Sequence, residues 1–142
     1  MSLEIRKGRE AMDFEKVHAW LTTAYWSLGV SRENVENAAN GSSLVLGAFV
    51  DGEQVGFARI VSDLTTFAWV CDVFVDERHR GHGIARALVQ RALEDPDHQG
   101  LRRWLLVTRD AHKVYSKLGF EPLPEPSRWM LKGVQIPPQN GS

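Results

Sequence analysis

Val73-Phe74-Val75-Asp76-Glu77-Arg78-His79-Arg80-Gly81-His82-Gly83-Ile84-Ala85 reads as the end of a strand, a polar turn and the start of a helix. Upstream, Phe67 to Val75 is apolar except for Asp72, the pattern of a strand buried on both faces. Downstream, Ile84, Ala85, Leu88, Val89 and Ala92 recur at helical spacing, and Asp95-Pro96 closes the helix. Gly81, Gly83 and Ala85 keep bulk off the turn, so a ligand can approach the backbone. The helix's first N–H groups lack intrahelical acceptors, and its dipole favours negative charge there. With Arg78 and Arg80 alongside, the turn reads as a pyrophosphate cradle; the plainer reading is a tight turn with solvated arginines. A dinucleotide fingerprint needs a third small residue where Arg86 stands, and no Gly-Lys-Ser or Gly-Lys-Thr closes a P-loop.

Working outward, Leu3 to Lys7 alternates as a short strand. Asp13 caps a helix with Phe14, Val17, Leu21, Ala24 and Tyr25 on one face, ended by Gly29. Ser31 opens a second helix through Asn34 and Ala38, stopped at Asn40-Gly41. Leu44 to Val50 and Val55 to Val61 flank Asp51-Gly52, a hairpin signal because both turn positions need positive φ. After the central helix come a strand over Trp104 to Val107 and a helix capped by Asp110, bearing Ala111, Val114, Tyr115 and Leu118 and closed by Gly119. Phe120 to Leu123 and Arg128 to Lys132 read as two last strands around a Pro-rich turn. The order β-α-α-β-β-β-α-β-α-β-β predicts an α/β (α+β) fold, a mixed sheet of about seven strands with helices on both faces. Residues 1–133 form one domain in this reading, with 134–142 as a flexible tail.

The composition is that of a globular chain: 142 residues, 43% hydrophobic and 25% charged. Lys plus Arg number 17 and Asp plus Glu 18, so neither nucleic acid nor an anionic membrane meets the basic excess it would require. The single cysteine, Cys71, allows no internal disulfide and no Cys-built metal site, and no His or carboxylate spacing suggests a metal. No apolar leader or membrane-length run occurs, which predicts a cytoplasmic protein.

The opening stretch resembles the acyl-CoA signature of the GNAT N-acetyltransferase superfamily, Gln/Arg-x-x-Gly-x-Gly/Ala, matched by Arg80, Gly83 and Ala85. Asp110-Ala111-His112-Lys113-Val114-Tyr115-Ser116-Lys117-Leu118-Gly119-Phe120 is similar to the family's closing motif, a Tyr before Leu-Gly-Phe. The resemblance covers nearly the whole chain. It implies a mostly antiparallel GNAT sheet and acetyl-CoA as co-substrate. The pyrophosphate would lie on the signature loop, Arg80, Gly81, His82, Gly83, Ile84, Ala85 and Arg86, and the pantetheine arm beside Val73, Phe74 and Val75. It implies a wedge between that strand and the next where thioester meets amine. It leaves monomer or homodimer open, although family members often pair through C-terminal strands.

Acetyl transfer to an amine needs a proton removed and a proton delivered. An amine with a pKa of ~10.4 costs roughly 4.6 kcal/mol to hold neutral at pH 7. By resemblance, Tyr115 is the general acid for the leaving thiol; otherwise it is a packed helix tyrosine. Asp72, the one charge in its strand, is a base or water-positioning candidate, or else a structural acceptor. Cys71 falls on the opposite face in a regular strand and reads as an inert thiol. Tyr25, Trp26 and Trp69 offer an aromatic wall for a small amine, although the same rings can simply pack the core. The expected function is transfer from acetyl-CoA to a primary amine, of a small molecule before a protein. The rival is a non-catalytic acyl-CoA-binding module, which needs the loop but neither Tyr115 nor Asp72.

Overall fold

Asp51 and Gly52 sit at φ 52° and 83°, the two positive values a type I′ turn demands, and they join β2 (Leu44–Val50) to β3 (Glu53–Ser62). In the computed structural model, which describes residues 2–134, this hairpin is the centre of one sheet. β1 (Leu3–Lys7) pairs antiparallel with β2, and β3 pairs antiparallel with β4 (Phe67–Val75). β5 (Arg103–Leu105) adds parallel to β4, giving the order β1-β2-β3-β4-β5.

Four α-helices cover the two faces of the sheet among the described residues. α1 (Phe14–Leu21) and α2 (Arg32–Asn40) are capped by Asp13 and Ser31, whose side chains accept from Lys16 N–H and Asn34 N–H. They bury Val17, Leu21, Val35 and Ala39 against Val45, Phe49 and Phe57. α3 (Ile84–Leu93) packs Ile84, Leu88, Val89 and Ala92 on the other face, against Leu46, Ala58, Ile60 and Val70. Tyr115 of α4 (His112–Ser116) joins that second cluster. A methyl group on Gly56 would lie 3.3 Å from Ile84 and Leu88, so this glycine seats α3 close to β3. Because both faces are covered, β2 and β3 read as nearly continuous apolar runs, and β2 is buried from Leu44 to Phe49.

Three expectations need correction. The sheet has five strands among the described residues, not about seven: neither Phe120 to Leu123 nor Arg128 to Lys132 is a strand. Pro122 removes a ladder donor from the first of them, and Pro124 and Pro126 lie in the turn that follows. Met130 and Leu131 are 97% and 65% exposed, so nothing buries the apolar pattern that suggested a strand. α1 stops at Leu21, because the Thr23 and Ser27 hydroxyls take up the carbonyls of Trp20 and Leu21. Asp110 does not cap α4; Thr108 Oγ1 accepts from Ala111 N–H at 3.0 Å just before it. The expected tail, apart from Val134, lies outside the described residues.

A buried polar chain pins the sheet's far end. Asp95 and His98 are 6% and 2% exposed, with Asp95 Oδ2 2.8 Å from His98 Nδ1. His98 Nε2 lies 2.8 Å from Ser43 Oγ at the start of β2, and Lys7 Nζ reaches Asp95 Oδ1 at 3.3 Å. The residue order is that of a Ser-His-Asp triad, but the Ser43 hydroxyl donates to Ile60 O at 3.0 Å, so its one proton is not given to His98 Nε2. The Ser43 N–H is already given to Ile60 O, so it offers no oxyanion donor. The chain is therefore a tie between the α3–β5 connection and β2.

Burial alone would raise the Asp95 carboxyl, but bonds from His98, Lys7 and the Asp97 N–H outweigh it and hold it below 3.8. A depressed folded value contributes stability above the unfolded value, lost as pH falls through the folded one. Asp95→Asn should cost about 1–3 kcal/mol at pH 7 and flatten the acid limb of stability. Urea unfolding from neutral pH down to about pH 3 checks this, and a variant with the wild-type acid limb would contradict it.

Candidate active site

β4 carries one residue too many for its partner. Arg59 pairs with Cys71 and Phe57 with Phe74, so three steps on β4 face two on β3. The surplus is taken up at Asp72, whose φ is +53°. A β-bulge of this kind bends the strand and re-aims its side chains. Regular alternation would put Cys71 and Asp72 on opposite faces; both instead line one cavity. On the other edge, β4–β5 pairing ends at Trp69 with Leu105. Beyond that pair the strands part, and Leu106, Val107 and Thr108 become wall.

The cavity measures about 510 Å³, within the usual span for small-molecule sites. Leu21, Val30, Val35 and Ala38 form its apolar side, with Tyr25, Trp26 and Trp69 as aromatic walls. Trp26 stands edge-on to Tyr25, their ring centres 5.0 Å apart. Early termination of α1 puts both residues in a turn that faces β4 instead of on a helix face.

Asp72 is fully engaged. Trp26 Nε1 donates to Oδ1 at 2.7 Å and Arg59 Nε to Oδ2 at 2.7 Å, with the carboxylate 15% exposed. Arg59 was not singled out from the sequence, yet it is the one charge inside β3 as Asp72 is inside β4, a pairing signal across adjacent strands. Burial raises the Cys71 thiol against the attraction of Arg59, with Asp72 adding to the rise. That is the behaviour of an unactivated cysteine.

Tyr115 lines the same cavity, 9% exposed. Burial first, then the neighbouring Tyr25 and Asp110, push its phenol up to about 12. It stays protonated at neutral pH, and no hydrogen bond from the described residues holds it. Arg109 lies over the Tyr25 ring at 4.0 Å and its N–H donates to the Tyr25 hydroxyl at 3.2 Å. Its Nε and Nη1 are buried without an acceptor, so the ring face is their compensation.

At the end of β4 the glycine turn follows. Asp76 caps the 3₁₀ turn Glu77–His79, and Arg80 Nε donates to Val75 O at 3.0 Å. One lone pair of that carbonyl is thus used and one remains. Gly81 and Gly83 have φ of 83° and 76°, and nothing lies within 4 Å of where a Cβ would stand on either. α3 begins with no side-chain cap and no acid in its first turn. Arg80, His82 and Arg86 are exposed around it, whereas Ile84 is buried in the core. His79 Nδ1 is buried with no partner.

Strand, open glycine turn and uncapped helix lie beside a splayed strand pair, and a model of the acetyltransferase (GNAT) family matches residues 6–120. The chain belongs to the GNAT acetyltransferase family. It is similar to a protein from Xanthomonas campestris pv. campestris assigned to the GNAT acetyltransferases: 38% identity, 94% of each chain covered and a TM-score of 0.89. A GNAT-family acetyltransferase from Streptococcus pneumoniae shares 25% identity over 97% of this chain and 99% of its own, at a TM-score of 0.71. A Gibberella zeae protein assigned as an acetyltransferase is 36% identical over 88 residues, 59% of this chain. The chain spans about half, 48%, of that curated relative's length. No helix among the described residues is long and apolar enough to cross a membrane.

Proposed function

We propose that this GNAT chain is an N-acetyltransferase that carries the acetyl group of acetyl-CoA to a primary amine of a small molecule, by direct attack in a ternary complex. The observation that carries the reading is the unbonded Tyr115 phenol on the wall of the cavity where β4 and β5 part. The cradle fits the co-substrate: open space at Gly81 and Gly83 leaves room for a pyrophosphate, and the uncapped first turn of α3 offers N–H groups to it. Bound acetyl-CoA supplies an activated acyl carbon and a thiol leaving group.

The residues divide the remaining work. Arg80 to Arg86 hold the pyrophosphate, and the edge of β4 from Val73 to Val75 aligns the pantetheine arm. Backbone N–H groups of β4 would polarise the thioester carbonyl, where preorganised donors matter most. Asp72 acts as a positioning residue, because its oxygens already fix Trp26 and Arg59. The apolar walls favour the uncharged amine over the ammonium ion by desolvation. Tyr115 faces the departing sulfur as a proton donor. The modest volume suits a small acceptor better than a protein segment.

The experiment is thiol release from acetyl-CoA across a mixed amine library, with acetyl-CoA binding measured alongside by calorimetry. Release that depends on a particular amine is expected. Tight binding with no release from any amine or peptide would favour the acyl-CoA-binding module, and no binding at all would remove the cradle.

A further inference from the structure

Resting on the acetyltransferase reading, the open hydrogen-bonding capacity of the acceptor cavity identifies a class of acceptor. Three charged side chains line it, Arg59, Asp72 and Asp110. Asp72 accepts one bond on each oxygen, and its charge is paired with Arg59. Asp110 sits at the rim, 55% exposed and 3.7 Å from Arg109. Arg59 spends only Nε on Asp72 and makes one long 3.4 Å contact from Nη1 to Ser42 Oγ. Its Nη2 has no acceptor among the described residues and is not sealed off, with the side chain 20% exposed. Asn34, also on the wall, has no side-chain partner among them.

The unmet demand deep in the cavity is therefore for an acceptor group, beside apolar and aromatic walls. A polycationic amine would meet a guanidinium and find the one inner carboxylate already paired with it. A carboxylate would receive the free edge of Arg59 as a charge-assisted pair. We infer that the acceptor is an amine that also bears a carboxylate, with an apolar or aromatic body, and that Arg59 selects it through that carboxylate.

Direct binding tests this without turnover. Phenylalanine, 3-phenylpropionate and phenethylamine share one ring and differ in the carboxylate, and their titration can be followed by tryptophan fluorescence or calorimetry. The two carboxylates should bind roughly 10- to 100-fold tighter than phenethylamine, the scale of one hydrogen-bonded charge. Arg59→Gln should bring the three within about 3-fold of each other, and Arg59→Lys should retain part of the preference as a point charge without the fork. Melting temperatures of both variants check that Asp72, left without its partner, has not unfolded the sheet. Equal or tighter binding of phenethylamine, no binding of any probe, or a preference unchanged in Arg59→Gln overturns the inference. Acetyl-CoA titrated in parallel separates the two levels: retained CoA binding with no carboxylate preference removes the acceptor class alone, whereas loss of CoA binding removes the reading beneath it.

Discussion

Tyr115→Phe is expected to lower kcat by roughly 10- to 100-fold or more, reaching the scale of one acid–base group, while acetyl-CoA affinity and melting temperature stay close to wild type. The structure separates these readouts. The Tyr115 hydroxyl is bonded to nothing among the described residues, so its removal strands no buried partner. The ring, packed in the α3 cluster and edge-on to Phe120 at 6.0 Å, is kept by phenylalanine. What is lost is the donor. Its acidity also constrains how it acts. A phenol raised to about 12 facing a thiolate near 8.5 makes complete transfer uphill by roughly 5 kcal/mol. In the proposed reaction Tyr115 would therefore stabilise the leaving sulfur by a hydrogen bond and give up its proton only as another arrives from the acetylated nitrogen. One consequence is that the alkaline limb of kcat should not belong to this residue within the ordinary working range. An unchanged kcat in Tyr115→Phe would remove it from the chemistry and leave it as packing.

Much of the fold is written in local signals that do not depend on distant contacts. The Asp51-Gly52 turn, the Asp13 and Ser31 caps and the apolar phase of α3 each follow from one stretch of chain, and each is where it was expected. The signature loop is legible for the same reason, since a strand, two glycines and a helix start are all local. The acceptor side is different, because one residue changes the phase. A period-two reading of Phe67 to Val75 separates Cys71 from Asp72, and the bulge at φ +53° cancels that separation. Arg59 and Asp72 were each visible as a lone charge, but their bond needs the register between two strands. The role of His98 is invisible locally, because Ser43 lies 55 positions away and Lys7, which bonds Asp95 beside it, lies 88 positions from that carboxylate. The C-terminal strands failed for the opposite reason: an apolar pattern was present, but Pro122 removes a ladder donor from the first stretch and nothing covers Met130 and Leu131 in the second.

Gly83→Glu should abolish measurable acetyl-CoA binding, an effect larger than that of any single contact in the site. Two physical terms act on that residue, and they can be told apart. Gly83 has φ +76°, in the left-handed region, where a side chain costs about 1–2 kcal/mol. That strain falls on the folded state whether or not ligand is present, so it appears as a lower melting temperature. The second term concerns the space in front of α3. Nothing lies within 4 Å of a Cβ built there, so a glutamate meets no protein atom and extends into the volume assigned to pyrophosphate. Its carboxylate would also take the first-turn N–H groups for itself, in the manner of an N-terminal acid, and repel the phosphates. Gly83→Ala carries the strain without the charge or the length. It should lose stability to a similar degree and bind acetyl-CoA only a few-fold more weakly. The ratio of the two affinities, measured by calorimetry on folded protein, isolates the anion cradle from the backbone. If Gly83→Glu bound acetyl-CoA as well as Gly83→Ala does, the pyrophosphate would have to lie elsewhere, and the first turn of α3 would be an ordinary helix start.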